Sequence, residues 1–85
     1  MATRQDNTRK RWSSIYSTRY RHVLNQLKQA RVDAGLTQVQ VAVALGQRQS
    51  FVSKCESGER RVDVVELERF AKLYGKLLSF FLPRG

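Results

Sequence analysis

Acidic residues are scarce in this chain. Seven Asp and Glu stand against sixteen Lys and Arg, a formal net charge of +9. A surplus of that size draws polyanions, nucleic acid first and an anionic membrane second, although the same charge would also serve as plain solubilisation. Cysteine is nearly absent. Cys55 is alone, which excludes an intramolecular disulfide and any metal site built on cysteine pairs, and a single thiol fits a reducing compartment. His22 is the only histidine and has no evident ligand partners nearby, so it reads as a partly exposed helix residue rather than a metal ligand. No run of about 18 apolar residues exists, so nothing reads as a membrane span. The basic N-terminus lacks the apolar stretch of a secretory signal, and a cytoplasmic location is expected. The sequence also holds no nucleophile–base pair at motif spacing, no metal cluster and no glycine-rich phosphate loop, so neither an enzyme nor a cofactor is expected. Strand patterns, internal repeats and low-complexity tracts are missing as well.

What remains is an ordinary globular composition, 41% hydrophobic and 27% charged, in 85 residues. That is one domain. A domain of this size buries only roughly 60% of its unfolded surface, so its stability is marginal unless it oligomerises. Residues 1–17 differ from the rest: Arg4, Arg9, Lys10 and Arg11 face only Asp6, and Trp12, Ile15 and Tyr16 are the only bulky apolar residues. They read as a basic N-terminal arm, with residues 18–85 as the folded domain.

Periodic sequence begins after the arm. Tyr20, Val23, Leu24, Leu27, Ala30, Arg31 and Ala34 recur at spacings of three and four, which is one face of a helix that Gly35 ends. Thr37 is a good N-cap for a second helix from Gln38 to Leu45, because its hydroxyl can accept from the Gln40 amide while the Gln40 side chain reaches back. Gly46 ends that helix. A third starts near Arg48 or Gln49 and stops at Ser57-Gly58, and two short helices joined through a glycine turn are the helix-turn-helix pattern. Val64, Leu67, Phe70, Ala71 and Tyr74 define a fourth helix up to Gly75, and Leu77, Leu78, Phe81 and Leu82 a short fifth before Pro83. The expected fold is a compact all-α bundle of five helices.

A wheel of the third helix, at about 100° per residue, separates two faces. Gln49, Ser50, Ser53, Lys54 and Ser57 share one; Val52, Cys55 and Glu56 take the other, with Phe51 on the boundary. An ordinary solvated face favours long Glu and Lys. Glutamine and three serines suit a surface that approaches another molecule closely.

Residues 22 to 82 resemble the Cro and phage-repressor type of helix-turn-helix domain, the Xre-like, lambda-repressor-like DNA-binding family. The matching residues are Arg31, Gly35-Leu36-Thr37-Gln38, Val41-Ala42, Leu45-Gly46, Gln49-Ser50, Val52-Ser53, Glu56, Gly58, Arg60, Leu67, Ala71 and Gly75. The resemblance implies that the third helix enters the major groove of double-stranded DNA. It implies base contacts from Gln49, Ser50 and Lys54, with Ser53 a weaker candidate. Glutamine can bond adenine in a bidentate way, and lysine can donate to guanine. It also implies backbone contacts from Gln38 at the start of the second helix and from Arg60 and Arg61 in the following loop. Arg31 and Glu56 match positions that form a structural ion pair, architecture rather than chemistry. Three departures stand out. Arg48 replaces a better helix-start residue and is assigned to phosphate contact. Phe51 is large for its position and either packs inward or meets a thymine methyl. Leu77 stands where the last helix often begins with a polar residue or proline.

The resemblance implies a transcriptional regulator, expected to be a repressor, that binds a near-palindromic operator as a homodimer through the outer residues of Leu77–Leu82, with Tyr74 nearby. Restriction–modification controller proteins share this plan. The alternative is an antitoxin, or another interaction protein, whose main partner is a toxin.

Overall fold

The computed structural model describes residues 18–83; the basic arm read over residues 1–17 lies outside the described residues. The chain runs through α1 (Thr18–Asp33), α2 (Gln38–Leu45), α3 (Gln49–Ser57) and α4 (Val64–Tyr74), then a single 3-10 turn, Leu78–Phe81. The described residues therefore contain four α-helices and no strand. The fifth helix expected from the sequence is this turn. Leu78 and Phe81 are three apart, a spacing that one turn of either helix type satisfies.

The boundaries of α2 and the start of α4 have local causes. Thr37 and Gln40 form a reciprocal capping box at α2: the Gln40 amide donates to Thr37 Oγ1 at 3.1 Å, and the Thr37 amide donates to Gln40 Oε1 at 2.8 Å. Asp63 and Glu66 make a second box at α4, at 2.7 and 3.1 Å. Between α2 and α3 the chain must reverse within three residues. Gly46 does this at φ 67°, left-handed backbone that a side chain would strain, and its amide reaches the carbonyls of Ala42 and Val43.

The buried faces of the four helices meet in one core. Leu27, Ala30, Val41, Val52, Cys55, Phe70 and Phe81 have no exposed surface. α2 packs most extensively on α3, while α1 crosses both α3 and α4. The 3-10 turn closes the bottom of this core with Phe81, and a bond from Gln26 Nε2 to the Phe80 carbonyl at 3.2 Å ties it to α1. Arg69 Nη2 donates to the Leu45 carbonyl at 3.3 Å, fastening α4 to the C-terminal end of α2, where the helix dipole favours a cation. The outcome is a fixed α2–turn–α3 unit with one face of α3 left uncovered.

Candidate nucleic-acid interface

α3 is held by its inner side. Val52 and Cys55 are fully buried, while Gln49, Ser50 and Lys54 are exposed and Ser53 is half-buried. Burial pushes the Cys55 thiol up from its ordinary value, so it stays protonated and serves as a small apolar side chain. Phe51 packs inward: its ring stacks on Phe70 at 6.3 Å between centroids, and the Arg60 guanidinium covers it at 4.7 Å. That contact occupies the aromatic face and favours the packing role for Phe51.

A polar network runs from Glu56 near the C-terminal end of α3 to Gln49 at its start. Arg31 Nε donates to Glu56 Oε2 at 2.7 Å and Arg31 Nη2 to Glu56 Oε1 at 3.2 Å, with side chains only 12% and 4% exposed. The hydrogen bond to Glu56 raises the pKa of Arg31 further. Arg31 Nη1 also donates to the Leu36 carbonyl at 2.8 Å, pinning the turn before α2. Gln38 Nε2 donates to Glu56 Oε1 at 3.0 Å, and Gln38 Oε1 accepts from Gln49 Nε2 at 2.9 Å. Four of the residues singled out in the sequence thus form one continuous chain, from the α1–α2 corner to the exposed start of α3.

The remaining candidates are spread around it. Arg48 precedes α3 in extended backbone, makes no side-chain cap and is exposed. Lys54 is exposed and forms no ion pair among the described residues. Arg60 is engaged: Nη1 and Nη2 meet both carboxylate oxygens of Glu66 at 2.9 Å, and Nη1 also reaches the Arg61 carbonyl at 3.0 Å. Arg61 lies over the Tyr20 ring at 5.8 Å, next to the bond from the Val62 amide to the Tyr20 hydroxyl. Sequence reasoning missed Lys28. It lines a hollow of about 280 Å³ with Arg31, Gln38, Glu56 and, from the polar face of α3, Ser53 and Ser57. The available signal was its position one turn before Arg31 on the same helix. Among the described residues, no group of three or more His, Cys, Asp or Glu is placed to hold a metal ion, and no helix is long and apolar enough to cross a membrane.

Two short helices joined by a glycine turn, the second fastened by an apolar side and open on a small polar side, define a helix-turn-helix domain of the DNA-binding class. A family model described as a helix-turn-helix domain matches residues 23–76. A solved structure named as an XRE-family like protein from Pseudomonas syringae pv. tomato str. DC3000 is similar over 79% of this chain and 82% of its own, at 43% sequence identity and a TM-score of 0.72. No curated protein sequence matches the chain. The chain belongs to the Xre-like helix-turn-helix family.

Proposed function

We propose that the protein is a sequence-specific transcriptional regulator that acts in the cytoplasm as a repressor, binding a near-palindromic operator as a homodimer. One observation carries this reading: α3 exposes Gln49, Ser50 and Lys54 together on the side opposite fully buried Val52 and Cys55. Those three residue types are able to address base edges. Glutamine matches the donor and acceptor of adenine, lysine the two acceptors of guanine, and serine either. Ser53, half-buried beside them, has a lesser share of the same role.

Backbone contact falls to side chains around that face. Gln38, Arg48, Lys28 and Arg61 flank it, and each cation that meets a phosphate releases counterions and adds salt-dependent affinity. Arg60 belongs to this group only as far as its pairing with Glu66 leaves a guanidinium edge free. The basic N-terminal arm, residues 1–17, adds affinity with little sequence preference. The protein binds its partner and transforms nothing.

Selection of bound duplexes from a random pool, using the full chain, tests the reading. A two-fold symmetric motif should be enriched. Recovery of sequences no different from the input pool would overturn it.

A further inference from the structure

We infer that Tyr20 of α1 and the Arg60–Glu66 pair are positioning residues for Arg61: they clamp the peptide that follows it, so that its side chain meets a DNA phosphate already ordered. This rests on the proposal that Arg61 holds the DNA backbone. One peptide group carries the argument. Its carbonyl belongs to Arg61 and its N–H to Val62. The carbonyl accepts from Arg60 Nη1 at 3.0 Å, and the N–H donates to the Tyr20 hydroxyl at 3.1 Å. A surface loop can leave both groups to water; here side chains from two sides hold them. Each holder is anchored in turn. Arg60 is oriented by both carboxylate oxygens of Glu66, at 2.9 Å each, and by the Phe51 ring 4.7 Å from its guanidinium. Its own amide donates to the Lys54 carbonyl at 3.1 Å and ties the start of the loop to α3. Tyr20 is half-buried on α1. The orientation of the Arg61–Val62 peptide is therefore set jointly by α1, α3 and α4.

The same tyrosine also meets the side chain. The Arg61 guanidinium lies over the Tyr20 ring at 5.8 Å, while the residue stays exposed. Tyr20 thus holds the backbone of Arg61 with its hydroxyl and the cation with its face. A long side chain that must be ordered on binding gives up part of its contact energy, and one ordered beforehand does not. The counterion released at the phosphate is the same in both cases. Loss of the clamp therefore weakens binding and leaves its salt dependence alone, whereas loss of Arg61 changes both. Base readout by α3 takes no part, so selected and random DNA are weakened alike.

The test uses the full chain, the best duplex recovered from the random pool and a random duplex, with affinity measured across a salt series. Arg61→Ala should lower the salt slope by roughly one. Tyr20→Phe removes the hydroxyl and keeps the ring under Arg61. In the parent protein it should weaken both duplexes by roughly two- to tenfold, the scale of ordering one long side chain, at an unchanged salt slope. In the Arg61→Ala background the same change should weaken neither duplex further, because two residues that act through one contact are not additive. Arg60→Lys is the second probe. It keeps the charge, loses the planar guanidinium that spans Glu66 and the Arg61 carbonyl, and should follow the same pattern. A thermal transition checks that each variant folds. The inference is overturned if both changes leave affinity intact, or if they weaken binding equally with and without the Arg61 side chain, as a purely structural role would. If Arg61→Ala moves neither affinity nor salt slope, backbone contact by Arg61 is itself wrong, and the clamp has nothing to position.

Discussion

At the scale of single residues, the Arg31–Glu56 pair is the most consequential polar contact below the α3 surface. Both side chains are nearly removed from water, so each charge depends on the other for compensation. Among the described residues, Arg31→Ala leaves Glu56 with Gln38 as its only side-chain donor and frees the Leu36 carbonyl. Breaking a buried pair from one side costs about 3–5 kcal/mol. Urea unfolding should show a loss of that order, and a loss below about 1 kcal/mol would mean that water already reaches the carboxylate. Tyr74 presents the opposite case. Its hydroxyl is buried without a hydrogen-bond partner among the described residues, and burial pushes the phenol well above its ordinary range. The ring stacks on Phe70 at 5.9 Å, so the aromatic packing is what it contributes. Removing an unsatisfied hydroxyl recovers part of a penalty of about 1–3 kcal/mol. Tyr74→Phe should be neutral or stabilising in the same urea titration, and a clear loss would show that the hydroxyl has a partner after all.

At the scale of elements, the loop after α3 is tied to α4 through one carboxylate. Glu66 accepts from both guanidinium nitrogens of Arg60 and from the Asp63 amide. The Arg60 guanidinium foremost, and the Asp63 amide after it, hold the Glu66 carboxyl below the ordinary carboxylate value. A carboxyl whose pKa is lower in the folded state stabilises the fold fully above its unfolded value, about 4.3, and that contribution disappears as the pH falls through the lower folded value. Stability should therefore decline on acidification below about pH 4.3, and Glu66→Gln should flatten that part of the profile. An acid limb identical in Glu66→Gln and the parent protein would contradict the assignment. The four helices and the Thr37–Gln40 box were legible in the sequence because they rest on local patterns: apolar spacing, a hydroxyl before the first turn, a glycine after the last. The last segment was counted as a short fifth helix because Leu77, Leu78, Phe81 and Leu82 fit both helical periods, and it is a single 3-10 turn. The Asp63–Glu66 box had the same local signature as the first and went unread. What could not be read is which long side chains meet across elements. Gln38 meeting Gln49, Lys28 beside Ser53 and Arg60 on Glu66 depend on how α1, α3 and α4 cross, and spacing within one element says nothing of that.

At the scale of the whole molecule, the reading needs two copies of the chain and one DNA. Leu77 is 78% exposed and Leu82 47%, while Tyr74 and Phe81 are buried in the core. The dimer contact proposed for this end of the chain thus has Leu77 and Leu82 as its apolar anchors. Leu77→Glu combined with Leu82→Glu should shift the solution mass toward a single chain at high protein concentration, with the helical signal unchanged. A monomeric mass for the parent protein, both free and on a full operator, would rule the dimer out. The central claim is narrower still: the polar face of α3 reads bases, and the loop after it holds the backbone. Lys54 and Arg61 separate these roles, since changing either to Ala removes one positive charge. The deciding measurement is affinity for the selected duplex and for random DNA across a salt series, for both variants. Lys54→Ala should lose about 1–3 kcal/mol on the selected duplex and relax one base position. Arg61→Ala should weaken both DNAs by similar factors and lower the salt slope by roughly one. A Lys54→Ala variant that keeps its ratio of selected to random binding, while Arg61→Ala loses it, would contradict the placement of α3 against the bases.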